Sequence, residues 1–332
     1  MRRRMSRRFS TLLAAALLAA APAAAADPAP SPYAELAALE ARVAAIAFRL
    51  TTASAAHCPV LQPQFGWLWG DPRLYDAGAR SSARTAYNAS NAHLPFLAAV
   101  APGSPAATAG LRVGMAIRAA NGVAVAPPED DDPFARIAAL ESRLAALPPS
   151  TPAEIDAADG RRLAVQPVAG CISDFRVEAR DRPSGAADGR LVLISAGLAR
   201  AAADDDELAA VIAHELAHNI LRHRARLDAA DIDRGIGKQF GRNARLIRAT
   251  EVEADRLSVW LTHAAGYAPE AAARFWTQFG KRRGPVLIQA GTHPRWKARV
   301  RTLETEVAAL RDAEARGGPL DPPLIAAPPP LE

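Results

Sequence analysis

The sequence predicts an α+β fold, in which a mainly helical part carries a small sheet and a separate part is rich in β-strands. Apolar residues recur every three or four positions within residues 31–50, 204–218 and 251–261, which is typical of amphipathic helices. Short apolar runs bounded by Gly, Pro, Asn and Asp lie within residues 94–195, as expected for strands and turns. The chain of 332 residues is long enough for two domains with separate hydrophobic cores.

The first 26 residues have the composition of a secretory signal peptide. A start with five arginines leads into a short apolar run, and Ala24, Ala25 and Ala26 offer a cleavage site before Asp27. We therefore expect residues 1–26 to be a signal peptide, and the protein to be periplasmic or otherwise exported in a bacterial envelope. An uncleaved segment would instead be a membrane anchor, and only in that case do we expect the chain to contact a membrane.

The positive charge of the chain belongs to this first segment. The formal net charge is +5, and residues 1–26 hold five arginines and no acidic residue, so the remainder of the chain is neutral. A neutral remainder provides no basic surface of the kind that binds a polyanion. We therefore expect no nucleic-acid partner.

Residues 27–90 are expected to form an N-terminal helix and a loop segment that pack on the larger helical part. The helix is indicated by the apolar face of residues 31–50. A stretch rich in Gly and Trp follows at residues 65–70, and this composition is typical of a loop. We assign no function to the stretch from its sequence.

Residues 91–169 carry a series of short motifs. The sequence LPFLAAV at residues 94–100 predicts a strand, and it is followed by PGSPA, AGL and VG and then by NG at residues 121–122. A helix at residues 133–147 and a hairpin at residues 155–168 would complete the unit. This series resembles the PDZ domain. The resemblance implies that a peptide or a C-terminus binds by adding a strand to a sheet edge, and the alternative is a spacer whose groove is closed.

The chain has two cysteines, Cys58 and Cys171. In the oxidising compartment expected for an exported protein, a disulfide between them is plausible. It would bracket the PDZ-like part, which indicates that this part is inserted between two pieces of one body. The alternative is a pair of buried, unpaired thiols.

One helix carries residues that can bind a metal. Asp204 and the acidic residues after it provide capping oxygens and favourable charge for a helix start. His214 and His218 are four residues apart and therefore lie on the same side of the helix, and Glu215 follows the first of them. Neutral imidazoles suit zinc, and a neighbouring carboxylate can take a proton from the attacking water. The alternative is an ordinary amphipathic helix with two solvated histidines.

A second helix downstream offers carboxylates for the third ligand position. Glu251 and Asp255 are four residues apart, so one can bind the metal while the other orients an imidazole ligand. Glu253 lies about 200° around the helix from Glu251, and we do not expect both to face the metal. His223, nine residues after His214 along the same predicted helix, is expected to point away from the metal.

Three motifs appear in an order that is typical of one peptidase family. HELAH at residues 214–218, EVEAD at residues 251–255 and THP at residues 292–294 resemble the gluzincin family of HtpX, BepA and the CAAX prenyl proteases. The resemblance implies a mainly α-helical, zincin-like metalloprotease domain with a small β-sheet, which we place at residues 170–315. Because no apolar span follows the signal segment, the chain resembles the soluble, exported members of this family.

The resemblance also assigns roles to individual residues. It implies that His214, His218 and Glu251 bind zinc and that Asp255 holds a ligand in place without binding the metal itself. Glu215 is expected to be the catalytic base, which polarises the water for attack on a peptide carbonyl and passes the proton to the leaving amine.

Two further residues are expected near the metal from the resemblance. His293 and Arg299 are candidates for steadying the oxyanion that develops during peptide hydrolysis. For His293 a second role remains open, that of a fourth zinc ligand in the resting enzyme. In zincin-like sites an edge strand also pairs with the extended substrate, and residues 191–195 are our candidate for that strand.

The expected function is that of a zinc-dependent endopeptidase, a hydrolase, acting on unfolded or misassembled envelope proteins. The alternative is a peptide-binding periplasmic chaperone or adaptor with little proteolytic activity, against which the intact Glu215 argues. A purely structural zinc site would normally use four protein ligands with Cys among them. Residues 316–332 are rich in Pro and are expected to form a disordered tail.

Overall fold

The fold is taken from a computed structural model that describes residues 31–127, 132–232, 241–283 and 295–326. The predicted signal peptide lies outside the described residues. Within the described part, helices and strands are both abundant, and the prediction of an α+β fold is confirmed.

The described residues contain eleven α-helices and eleven β-strands. The helices are α1 (Pro32–Ala53), α2 (Arg80–Ala86), α3 (Pro105–Thr108), α4 (Ala135–Ala145), α5 (Ala196–Ala201), α6 (Asp205–Ile220), α7 (His223–Ala229), α8 (Gly241–Ala264), α9 (Ala271–Arg283), α10 (Trp296–Ala315) and α11 (Pro323–Ala326). The strands are β1 (Leu61–Gln64), β2 (Trp67–Gly70), β3 (Phe96–Val100), β4 (Ile117–Ala120), β5 (Val123–Ala124), β6 (Ala153–Ala157), β7 (Arg162–Val165), β8 (Val168–Cys171), β9 (Asp174–Glu178), β10 (Gly185–Ala187) and β11 (Leu191–Ser195).

The main core lies where α1, α6 and α8 pack together. Helix α6 begins after the N-cap Asp204, whose carboxylate accepts a hydrogen bond of 2.8 Å from the backbone N–H of Glu207. Apolar residues of α1, β11, α6 and α8 fill this core: Val43, Leu50, Val192, Ile194, Leu208, Ile212, Leu216, Leu257 and Leu261. The N-terminal helix therefore packs on the helix that carries His214 and His218.

A three-stranded sheet beside α6 has the strand order β10, β11, β9. Strand β11 pairs in parallel with β9 and antiparallel with β10, so it is central. The prediction that residues 191–195 form an edge strand is therefore wrong, and β10 is the edge that lies against α6 at Gly185 and Glu215. The Gly-Ala-Ala sequence of β10 has no alternating or β-branched pattern, so side-chain pattern does not predict it as a strand.

A second core lies in the β-rich part. Strands β5, β4, β6 and β7 form an antiparallel sheet in that order, and β2 pairs with β3. Residues from the strands, from α4 and from the segments that connect them fill this core: Phe65, Trp69, Leu97, Leu111, Ile117, Ile137, Leu140, Leu144, Ile155 and Val165. Residues 65–70 were predicted to form a loop from their composition, but they belong to the β-rich part. The assignment of residues 91–169 as PDZ-like stays a prediction.

Helix α1 covers the space between β2 and α4. A cavity of about 40 Å³ remains there. Its lining includes Ala44, Phe48, Trp67, Leu144 and Phe175. This cavity has room for a few water molecules and not for a peptide.

Strand β3 also lacks a free edge, because it pairs with β2 on one side and forms a bridge from Phe96 to Ala116 on the other.

A disulfide between Cys58 and Cys171 joins the end of the N-terminal segment to strand β8, with a Cα–Cα distance of 5.3 Å. The prediction of this disulfide is confirmed. Strand β1 pairs antiparallel with β8 beside it, with Leu61 opposite Cys171. The two chain segments that flank residues 65–165 are therefore held together by a covalent bond and by a strand pair.

The C-terminal part is more ordered than its composition indicated. Within the described residues of the predicted tail, Pro323–Ala326 form helix α11, and Leu324 is buried in the main core. An apolar contact of this kind can fix a Pro-rich segment that composition alone assigns to disorder. None of the described helices has the length and apolar character that a membrane crossing requires.

Candidate metal centre

Helices α6 and α8 bring three metal-binding side chains to one place. His214, His218 and Glu251 each offer a ligand atom, and these atoms all lie within 4.8 Å of one another. The Nε2 atoms of His214 and His218 are 3.3 Å apart, and each lies 3.6 Å from a carboxylate oxygen of Glu251. The group is largely removed from water, since His214 and Glu251 are buried and His218 is half-buried.

Asp255 and Arg299 both contact His214. Asp255 Oδ1 lies 3.0 Å from His214 Nδ1 and accepts a hydrogen bond of 2.7 Å from Arg299. The guanidinium of Arg299 lies 2.9 Å from each ring nitrogen of His214 and stacks on Trp276 at 3.6 Å. A ligand imidazole that donates its second N–H to a carboxylate is held in one tautomer and one orientation.

The two imidazoles differ in their electrostatic surroundings. Burial and Arg299 lower the pKa of His214, but Asp255 and Glu251 outweigh them and raise it to about 9. Burial lowers the pKa of His218 well below its usual value. Metal binding requires the neutral form of both rings, which the surroundings of His218 favour and those of His214 oppose.

Strand β10 lies directly against the expected catalytic base. A Cβ atom at Gly185 would collide with the carboxylate of Glu215, so a larger residue would require that carboxylate or the strand to shift. Glu215 lies beside His214 in the sequence and projects towards the sheet edge. The base and the edge strand are therefore neighbours, as a site that binds an extended peptide beside a metal requires.

The sequence predicted that His223 points away from the metal centre, and this prediction is wrong. Helix α6 ends at Ile220, Arg222 adopts a left-handed conformation with φ of 54°, and α7 begins at His223. The turn brings His223 Nδ1 to 2.9 Å from His218 Nδ1. The prediction failed because it continued α6 beyond its end, and no Gly marks the break at which Arg222 reverses the chain.

Two expected site residues have different outcomes. His293 lies outside the described residues, so its role stays a prediction. Arg299 is buried and contacts His214 and Asp255, which places it among the residues around the metal ligands. Its expected contribution to oxyanion stabilisation also stays a prediction.

The donor set fits zinc. Two imidazole nitrogens and one carboxylate are the usual protein ligands of a catalytic zinc ion, which keeps a further position for water or substrate. A structural zinc site would normally have four protein ligands, and this group of three contains no Cys. Calcium and magnesium, by contrast, prefer sets of oxygen ligands.

Comparisons with known proteins agree with this chemistry. A model of Peptidase family M48 matches residues 183–233 and 231–307. The chain is also similar to the mitochondrial metalloendopeptidase OMA1 of Schizosaccharomyces pombe (strain 972 / ATCC 24843), with 33% identity over 137 residues. This similarity covers 35% of the chain and 41% of the relative, so the chain spans about two fifths of the length of that protein.

The similarity to OMA1 corrects the predicted location. A periplasmic or otherwise exported location in a bacterial envelope was expected, and that prediction is wrong because the relative is a mitochondrial protein. Mitochondrial targeting segments are also rich in Arg and poor in acidic residues, as residues 1–26 are. The composition of residues 1–26 therefore does not distinguish a bacterial secretory signal from a mitochondrial targeting segment.

The family match covers all the described ligands and the residues that support them. The zinc cofactor expected from the HELAH motif agrees with both the matched family and the three converging donors. Residues 183–307 are therefore similar to Peptidase family M48, and His214, His218 and Glu251 within them form a group that can bind a metal ion.

Proposed function

We propose that the protein is a zinc-dependent endopeptidase. The observation that carries the proposal is the convergence of His214, His218 and Glu251 within 4.8 Å, on the helix that also bears Glu215 and on its neighbour. The similarity to a protein named as a metalloendopeptidase supports cleavage within polypeptides.

Each residue of the site has a separate role in peptide hydrolysis. When bound by His214, His218 and Glu251, zinc supplies Lewis-acid chemistry, which polarises a carbonyl and makes water more acidic. Glu215 takes the proton of the attacking water and then donates it to the leaving amine. Asp255 holds His214 in the tautomer that leaves Nε2 free for the metal.

Strand β10 supports a preference for extended polypeptide. It is the edge of its sheet beside Glu215, so a substrate segment can pair with its backbone while a peptide carbonyl approaches the metal ligands. Folded proteins rarely offer such a segment, because their backbone groups are already paired. We therefore take unfolded or misassembled proteins as the substrate class.

The PDZ-like part would supply a second contact with a peptide or a C-terminus. The space between β2 and α4 is covered by α1, but β7 is an edge of the four-stranded sheet and could accept an added strand. No nucleic-acid partner is proposed, because the chain after residue 26 has no net charge.

The test combines metal analysis with hydrolysis of casein by the purified protein. We expect one zinc ion per chain, hydrolysis that a chelator abolishes and added zinc restores, and a Glu215→Gln variant that keeps zinc but no longer cleaves. Zinc binding without hydrolysis by the wild type would favour the peptide-binding chaperone or adaptor. Wild-type hydrolysis by Glu215→Gln would remove Glu215 as the base.

A further inference from the structure

His218 lies at the start of a chain of buried polar contacts. Its Nε2 atom faces Glu251 Oε1 at 3.6 Å, while its Nδ1 atom lies 2.9 Å from His223 Nδ1. On the far side, His223 Nε2 lies 3.1 Å from Glu253 Oε2. The same carboxylate oxygen accepts a hydrogen bond of 2.6 Å from Arg226.

The proton positions in this chain follow from metal binding. If His218 binds the metal through Nε2 as a neutral imidazole, its proton must be on Nδ1, and that N–H donates to His223 Nδ1. His223 is then an acceptor at Nδ1 and carries its own proton on Nε2. This second N–H donates to Glu253, so the two hydrogen bonds point in one direction, from the ligand to the carboxylate.

Burial makes this arrangement the favoured one. His223 is 2% exposed and Glu253 is 5% exposed. Because both groups are buried, water does not compete for the hydrogen bonds at 2.9 Å and 3.1 Å.

We infer that His223 and Glu253 are positioning residues for the zinc ligand His218, fixing its tautomer and ring orientation through two successive hydrogen bonds. The inference rests on the proposed zinc site. His214 receives comparable support from Asp255 in a single step, whereas the support of His218 requires an intermediate imidazole.

The experiment measures the zinc dissociation constant of the full chain by competition with a chelator. We expect His223→Gln and Glu253→Gln each to weaken zinc binding by roughly 10- to 100-fold. Because both residues act through the same contacts, the double variant should bind zinc about as weakly as the weaker single variant. The thermal unfolding of the metal-free proteins reports whether each variant is folded.

Glu306→Gln is the matched control. Glu306 is also a buried carboxylate that accepts hydrogen bonds from an arginine, Arg256 (2.7 Å), and from a ring N–H, that of Trp260 (2.8 Å). It has no described contact with a metal ligand, so we expect its replacement to leave the zinc dissociation constant unchanged. A general loss of buried ion pairing would instead affect both sites alike.

The outcomes separate this inference from the proposed function. Folded His223→Gln and Glu253→Gln proteins with the zinc affinity of the wild type would overturn the inference and leave the proposed function intact. Fully additive effects in the double variant would also overturn it, because the two residues would then act independently. A folded wild-type protein that binds no zinc would instead refute the zinc site itself.

Discussion

Gly185 determines how closely strand β10 approaches the carboxylate of Glu215. A Cβ atom at this position would overlap the carboxylate, whereas its exposed neighbour Ala186 points to the opposite face of the strand. The absence of a side chain at Gly185 therefore leaves room for the carboxylate of Glu215. Gly185 does not have a positive φ, so the contact with Glu215, and not the backbone conformation, opposes a larger residue here.

Gly185→Ala should lower kcat without removing zinc. The added methyl group must displace Glu215 or the strand, and an error of about 1 Å in the position of a reacting group costs roughly 100-fold in rate. We expect a loss of this size in casein hydrolysis, with one zinc ion per chain retained by metal analysis. Ala186→Ser serves as the control in the same strand, and equal activities of the two variants would contradict the prediction.

Glu251 and Glu253 should differ in how strongly they affect metal binding. Glu251 faces both imidazole ligands, whereas Glu253 reaches His218 only through His223. Glu251→Ala should therefore weaken zinc binding by more than the roughly 10- to 100-fold expected of a supporting residue such as Glu253. A Glu251→Ala protein that binds zinc more tightly than Glu253→Ala would show that the wrong carboxylate is assigned as the ligand.

The positions of these residues could be predicted from the sequence to different extents. Helical spacing alone indicated that His214 and His218 share a side of α6 and that Glu251 and Asp255 share a side of α8. Sequence spacing could not indicate His223, because its place depends on one left-handed residue, Arg222, that ends α6. Non-glycine residues rarely adopt that conformation, so nothing in the sequence marks it.

At the level of elements, helices were easier to predict than short strands. The pattern of residues 31–50 corresponds to α1, because a long stretch of periodic apolar spacing leaves little ambiguity. Strand β10 has three residues without β-branched side chains, and its pairing with β11 depends on backbone hydrogen bonds. Such pairing carries almost no signal in the side chains, so β10 was missed and β11 was taken for the edge.

Helix α1 contains a buried carboxyl group that should make stability depend on pH. Glu40 is 8% exposed, and burial raises its pKa from 4.5 to about 7. Between these two values the unfolded chain has released the proton while the folded protein retains it, so the free energy of unfolding falls as pH rises. At pH 8 the carboxylate of Glu40 is ionised in the folded protein, and the free energy of unfolding is then lowered by the full cost of burying this charge.

Glu40→Gln should remove this dependence. The shift of the Glu40 pKa corresponds to a loss of about 3 kcal/mol across the window, as an upper value. In chemical denaturation at pH 5 and pH 8, the wild type should lose more stability than the variant does between the two conditions. Parallel pH dependences of the two proteins would show that Glu40 is ionised at little cost in the folded state.

At the level of the whole molecule, the flanking segments 31–64 and 168–326 are built into one body, with the β-rich part between them. Helix α1 contributes to the main core, and β1 pairs with β8. The ion pair of Arg176 with Glu141 links β9 of the small sheet to α4 of the β-rich part. The two cysteines and the PDZ-like motifs between them predicted this insertion, on the assumption of an exported protein that proved to be wrong.

The disulfide should contribute strongly to the stability of this arrangement. It joins residues 113 positions apart, and in the chain-entropy model closing a loop of that length limits the unfolded state by roughly 4 to 5 kcal/mol. A Cys58→Ser/Cys171→Ser protein should therefore unfold at a lower denaturant concentration, by several kcal/mol. Its zinc affinity should match that of the wild type while it is folded, because neither cysteine is a metal ligand.

The chemical state of the cysteines is the direct check on that prediction. Thiol reagents should modify neither Cys58 nor Cys171 in the denatured, non-reduced protein, and both after reduction. Reduction of the wild type should lower its stability as much as the double substitution does, because both remove the same constraint on the unfolded chain. Two reactive thiols before reduction would show that the disulfide does not form, and α1 would then be held to the main core by noncovalent contacts alone.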